Sequence, residues 1–190
     1  MPFETTDKKQ ASKNQLIMTK KILLALVIVC ISAHSFAQTT DITTKDSWLK
    51  VGLEASAPVG ALSNYSSFAG GAIVSGQFMR TRHFGLGLTT GYTHFFAKNG
   101  GSDFGVIPAG IMLRYYCHPT GFFAGVDGGY SFLTGNNTPT GGVYIKPQLG
   151  YHNYSWNFYA FYNQVFINDA NSNDVQNLGI AASYNIRFKK

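Results

Sequence analysis

The chain has 190 residues, with 15 Lys or Arg against nine Asp or Glu, for a formal net charge of +6. Five of those bases (Lys8, Lys9, Lys13, Lys20, Lys21) and two of the acids (Glu4, Asp7) precede Gln38, which leaves ten bases against seven acids, or +3, and no basic stripe to serve a nucleic acid. Cys117 is the only cysteine after Gln38, so an exported domain beginning there has no intramolecular disulfide.

In chain order, the first element is a targeting pattern. Lys20-Lys21 forms a basic n-region, and Ile22 to Ala33 is an apolar run of about a dozen residues. Ser35-Phe36-Ala37 then places small residues at the −3 and −1 positions before Gln38. The run is too short for a transmembrane helix, which needs about 20 residues. It reads as a cleaved signal peptide over 18–37, with Met18 as its start and residues 1–17 as an upstream extension without function. Cys30 does not turn it into a lipoprotein signal, because Val29 is too bulky for the position before it. Residues 38–47 are polar and read as a short periplasmic tail.

Eight runs of period-two alternation follow, and no window repeats apolar residues at i, i+3, i+4 and i+7. They span Trp48–Ala57, Gly70–Arg80, His83–Phe96, Phe104–Tyr116, Gly121–Leu133, Gly141–His152, Tyr154–Phe166 and Asn177–Phe188. In the last run Leu178, Ile180, Ala182, Tyr184, Ile186 and Phe188 share one face, since successive strand side chains point to opposite sides. Its length suits a transmembrane strand of about 9–11 residues. The connections alternate long and short. Pro58–Ala69, Ala97–Asp103, Thr134–Thr140 and Asn168–Gln176 read as loops, whereas Thr81-Arg82, Cys117–Thr120 and the neighbourhood of Asn153 read as tight turns. Outer-membrane barrels keep that order, with short periplasmic turns and longer extracellular loops. The fold expected is an all-β, eight-stranded antiparallel up-and-down transmembrane barrel over residues 48–188.

Facing follows from the alternation. The lipid-facing sets are Leu49, Val51, Leu53, Ala55; Ala72, Val74, Phe78; Phe84, Leu86, Leu88, Tyr92; and Ile107, Ala109, Ile111, Leu113, Tyr115. They continue with Phe122, Ala124, Val126, Tyr130, Phe132; Val143, Ile145, Leu149, Tyr151; Trp156, Phe158, Ala160, Tyr162; and the closing set above. In the seventh run Tyr159 and Phe161 make the other face aromatic as well. Aromatics form two expected interfacial belts. Trp48, Phe78, Phe84, Tyr115, Phe122, Tyr151, Trp156 and Phe188 lie on the turn side. Tyr92, Phe96, Phe104, Tyr130, Phe132, Tyr162 and Phe166 lie on the loop side. The opposite faces carry Lys50, Glu54, Arg114, Asp127, Lys146 and Arg187. Isolated buried ions are very costly, so Glu54 and Asp127 are expected to be neutralised by some of the four bases. Together these six form a structural charge network in a lumen just wide enough for side chains to fill.

Several short phrases resemble the small outer membrane β-barrel domain proteins grouped with OmpA/OmpX-like barrels and often labelled "porin family". They are Gly52-Leu53-Glu54 before Pro58-Val59-Gly60, and Gly91-Tyr92-Thr93-His94-Phe95-Phe96. Asp103-Phe104-Gly105-Val106-Ile107-Pro108 with Arg114-Tyr115-Tyr116, and Leu178-Gly179…Tyr184-Asn185, complete them. The resemblance covers roughly residues 48–188. It implies a terminal strand whose aromatic end is read by the barrel-assembly machinery, here Tyr184, Ile186 and Phe188, although Lys189-Lys190 follow. It implies no shared catalytic residues.

Chemistry motifs are lacking: no metal-ligand histidine spacing, no Cys-x-x-Cys, no Gly-x-Ser-x-Gly and no phosphate-binding loop. Gly85-Leu86-Gly87-Leu88-Thr89-Thr90-Gly91 is a strand with small lumen-side positions. His83, His118 and His152 fall at turns and read as surface or interfacial. His152 and Ser155 sit on the periplasmic side, out of reach of outer-leaflet lipid A. The sequence therefore reads as a non-enzymatic outer membrane protein without cofactor, surrounded by outer membrane lipid. Its role is structural or envelope-integrity, or the binding of an extracellular partner at loops 58–69 and 168–176. Two alternatives stand: a small-solute or ion-conducting porin-like barrel, favoured by its many lumen-side glycines, and a soluble periplasmic lipocalin-like ligand-binding barrel.

Overall fold

A computed structural model describes residues 47–98, 101–135, 138–169 and 172–188. The expected N-terminal extension, the signal peptide, the tail up to residue 46 and Lys189-Lys190 lie outside the described residues.

Eight strands close into one antiparallel barrel in sequence order. They are β1 (Ser47–Pro58), β2 (Ser66–Met79), β3 (Phe84–Ala97), β4 (Phe104–Tyr116), β5 (Gly121–Thr134), β6 (Gly141–His152), β7 (Trp156–Ile167) and β8 (Val175–Phe188). The first strand pairs the last from Ser47↔Phe188 to Pro58↔Asn177, which removes every free edge. Strands of 12 to 14 residues exceed the roughly 9–11 needed to cross a bilayer.

One end of the barrel carries the connections 80–83, 117–120 and 153–155, and the other carries 59–65, 98–103, 135–140 and 168–174. The short turns are set by side-chain oxygens that supply what the backbone lacks. Thr81 Oγ1 accepts from the amides of His83 (3.2 Å) and Phe84 (3.0 Å). Asn153 Oδ1 accepts from those of Ser155 (2.9 Å) and Trp156 (2.7 Å).

The first loop is shorter than its sequence suggests. Ser66 to Ala69 already belong to β2, behind a register shift between Ser66 and Phe68 that breaks the alternation, and Gly60–Asn64 form a 3₁₀ turn. Likewise β8 begins at Val175, inside the stretch read as the last loop, and β7 begins at Trp156 rather than Tyr154. The β3–β4 ladder lapses opposite Ile107-Pro108, and the β6–β7 ladder lapses opposite Lys146-Pro147. Both prolines keep their pairing on the other side, with Ser131 and Val126. Proline has no N–H to donate, so it is tolerated where only one ladder runs through it.

The outer face is apolar along every strand, and Leu53 and Leu88 are each 70% exposed, Phe122 and Ile180 each 68%. This arrangement inverts a soluble protein, whose large aliphatics go inside. Aromatics ring the outer face at both ends, Phe84 against Tyr115 at 5.0 Å on the turn side and Tyr130 against Phe132 at 4.9 Å on the loop side. Three residues assigned to the surface point inward instead. Trp48 is 4% exposed and packs edge-on against Tyr116. Phe104 stacks on buried Phe95 at 4.7 Å. His152 is 2% exposed and lies over Tyr116 at 4.5 Å. All three occupy lumen-side positions of the alternation; Trp48 and His152 reach Tyr116 on a non-neighbouring strand, and Phe104 stacks on its paired neighbour Phe95.

Candidate functional site: the filled lumen and its loop cap

The lumen is built in three layers. At the turn end Trp48, Met79, Tyr116, Phe123, Tyr159, Phe161 and Ala181 form an apolar cluster. At the loop end Leu62, Ala69, Phe95, Val106, Tyr144, Val165 and Val175 form another. The charged groups lie between and beside these two plugs. Alternation forces them there, because each stands an even number of residues from a neighbour that packs inside.

Lys146 donates to Glu54 Oε2 at 2.5 Å across the barrel, from β6 to β1, and Thr93 Oγ1 donates to Oε1 at 2.6 Å. Arg114 donates to Asp127 Oδ1 at 2.6 Å between neighbouring strands, and Gln148 donates to Oδ2 at 2.7 Å. All four charged residues are buried. Both carboxylates thus have a cation and a neutral donor, which a buried ion pair needs to offset its desolvation. Lys146 also lies 4.0 Å from the centre of the Phe161 ring.

The other two bases are held differently. Lys50, buried, donates to Tyr116 Oη (2.9 Å) and Asn157 Oδ1 (3.4 Å) and lies over the Trp48 and Tyr116 rings. Tyr116 in turn donates to Gln77 Oε1 at 2.9 Å. Arg187 is half-buried at the turn end with its guanidinium 3.6 Å from the centre of the Tyr154 ring. Ring faces attract cations, so these two bases rest against aromatics, and among the described residues neither forms an ion pair. Tyr184, Ile186 and Phe188 are exposed on the outer face at the turn end of β8.

Some lumen-side glycines leave room for side chains, and others let neighbouring backbones approach closely. A Cβ at Gly125 would meet the Arg114 side chain from 2.5 Å, and one at Gly110 would meet the Tyr144 hydroxyl. The charged layer contains a cavity of about 20 Å³, bounded among others by Glu54, Arg114, Asp127, Ser131, Tyr144 and Lys146. About 10–15 Å³ of such space admits one water. Ser131 Oγ and Tyr144 Oη are buried there without a protein partner, polar groups that a single water would satisfy.

Loops close the mouth. Leu62 of the 3₁₀ turn is buried in the loop-end cluster. Its loop is tied down by the Val59 amide to Gln176 O (2.9 Å) and by Lys98 Nζ to Ser63 O (2.8 Å). Asp103 clips the next loop, accepting from the Ala97 amide (2.8 Å) and His94 Nε2 (3.2 Å). The Ala97 amide, followed by His94, holds its carboxyl below the usual aspartate value. Asp174 clips the last connection, accepting from Gln164 Nε2 (2.8 Å) and the Ile167 amide (3.0 Å). Among the described residues of these loops, Tyr65 is 62% exposed, and Gly60, Asn64, Ser102, Asp103, Asn168 and Asp169 are exposed small or polar positions. Among the described residues no group of three or more His, Cys, Asp or Glu is placed to hold a metal ion.

Compared with solved structures, the barrel aligns with Ail, the attachment invasion locus protein of Yersinia pestis. The TM-score is 0.53 at 11% identity, over 76% of this chain and 100% of that one. It has the fold of the small eight-stranded outer membrane barrels. A second structure of Ail, in complex with the heparin analogue sucrose octasulfate, aligns at TM-score 0.49 and 12% identity, over 74% of this chain and 98% of that one. Neisserial surface protein A (NspA) aligns at 0.49 and 15%, over 76% and 97%. No family model matches the sequence, and neither does any curated protein.

Proposed function

We propose that the chain is a non-enzymatic outer membrane protein of a bacterium, delivered through a cleaved signal peptide, whose solid barrel anchors a cap of folded loops. The cap, built from 59–65 and 168–174 with the loops between them, would serve envelope integrity or meet an extracellular partner. Assembly would depend on the machinery that reads Tyr184, Ile186 and Phe188 at the end of β8.

The observation that carries the reading is the combination of an apolar outer face with a charged layer sealed by apolar clusters at both ends. The outer face suits lipid, where a closed barrel satisfies every backbone group. Two apolar clusters and charges paired across the lumen favour a filled anchor over the conduit and the ligand-binding barrel raised by the sequence. Planar-bilayer recording tests this. The expected result is no steady unitary conductance. A reproducible unitary level would replace the anchor with a conduit.

A further inference from the structure

Outside the buried charges of the lumen, the exposed and half-buried charges of the described residues separate along the barrel axis. Asp103, Asp169 and Asp174 are all at the loop end, where the one base, Lys98, is committed to the Ser63 carbonyl. The turn end has Arg80, Arg82 and Arg187 and, among the described residues, no carboxylate. Arg80 and Arg82 are exposed on either side of Thr81, whose hydroxyl fixes the turn, and among the described residues neither forms an ion pair. The turn is held by the Thr81 hydroxyl and by the backbone of Arg80, with no side-chain bond from either arginine to it. The two guanidinium groups therefore stand ready for something outside the chain.

Their position says what. They lie just beyond the outward Phe78 and Phe84, part of the turn-side aromatic ring that marks a membrane interface. Headgroups lie at that depth. Arginine presents a planar fork of donors matched to phosphate. We propose that the turn-end rim around Arg80 and Arg82 seats anionic glycerophospholipid headgroups of the periplasmic leaflet, with Arg187, held over Tyr154, adding field rather than contact. This rests on the membrane reading above, and it adds a lipid preference and an orientation that the reading does not require.

The test uses the full chain folded in detergent, titrated with dihexanoylphosphatidylglycerol or dihexanoylphosphatidylcholine and followed by the arginine Nε–H resonances. The glycerol lipid is expected to shift the Arg80 and Arg82 signals saturably, and the choline lipid is not. Arg80→Gln/Arg82→Gln is expected to weaken binding by about five-fold per arginine removed. Equal response to both lipids, or an unchanged affinity in the double variant, would overturn the proposal. So would inorganic phosphate shifting the same signals as strongly, since the rim would then be a site for soluble anions. Boiled and unboiled samples of the same preparations separate the two kinds of failure. A heat-dependent gel shift without lipid preference sinks only this proposal, and loss of the shift sinks the membrane reading with it.

Discussion

Lys146→Met would remove one partner of the cross-barrel ion pair and leave Glu54 buried beside Thr93 alone. No other base is placed to replace it, because Arg114 is bonded to Asp127 and Lys50 to Tyr116 and Asn157. The cavity beside Glu54 has space for about one water, too little to replace the hydration shell of a carboxylate. The expected cost is that of breaking a buried pair, about 3–5 kcal/mol. A hydrated, surface-like pair would cost at most about 1 kcal/mol. Glu54→Gln/Lys146→Met removes both charges, keeps a hydrogen-bonding partner for Thr93, and is expected to recover most of the loss. The assay is guanidinium unfolding of the barrel in lipid vesicles, followed by the fluorescence of Trp48 and Trp156. A single variant losing less than about 1 kcal/mol, or a double variant no more stable than the single one, would refute the sealed-lumen argument.

Three further outcomes are expected. Cys117, exposed on the β4–β5 turn, should escape a membrane-impermeant maleimide on intact cells and react once the outer membrane is permeabilised; labelling of intact cells would invert the orientation. Asp103 carries a lowered folded-state value, so its clip is fully present above the unfolded aspartate pKa and is lost as pH falls below that range through the folded value. The Ala97 amide shift should titrate accordingly and should lie at its acid limit at neutral pH in Asp103→Asn. Phe188→Ala should lower the yield of folded barrel in cells while leaving the protein refolded in detergent heat-resistant. Equal losses in both settings would mean the residue stabilises the barrel rather than marking it for assembly.

The strands and their two faces were legible because alternation reports burial directly when lipid lies on one side and a packed lumen on the other. Boundaries failed where alternation failed, as at Ser66–Ala69, where a register irregularity interrupts it. The inward placement of Trp48, Phe104 and His152 was legible only in their parity, which their place at strand ends overrode. An aromatic at a strand end serves a girdle or a plug equally well, and only the parity of its position and the width of the closed barrel distinguish them. The pairing of Glu54 with Lys146 was beyond a single strand's pattern, since it joins residues 92 positions apart and exists only once β1 meets β8. What a lumen-side glycine makes room for is likewise set by the neighbouring strand. Gly125 faces Arg114 from the neighbouring strand, so its missing side chain makes room for a guanidinium, not for water.

The most direct test of the central claim is fractionation of cells expressing the full chain, with boiled and unboiled samples run side by side on a denaturing gel. The account expects recovery in the outer membrane, release only by detergent, and a heat-dependent change in mobility, because a closed barrel of eight paired strands resists the detergent until heated. Recovery as a soluble periplasmic protein with no mobility change would contradict it, and the apolar outer face would then have to be covered by protein rather than lipid.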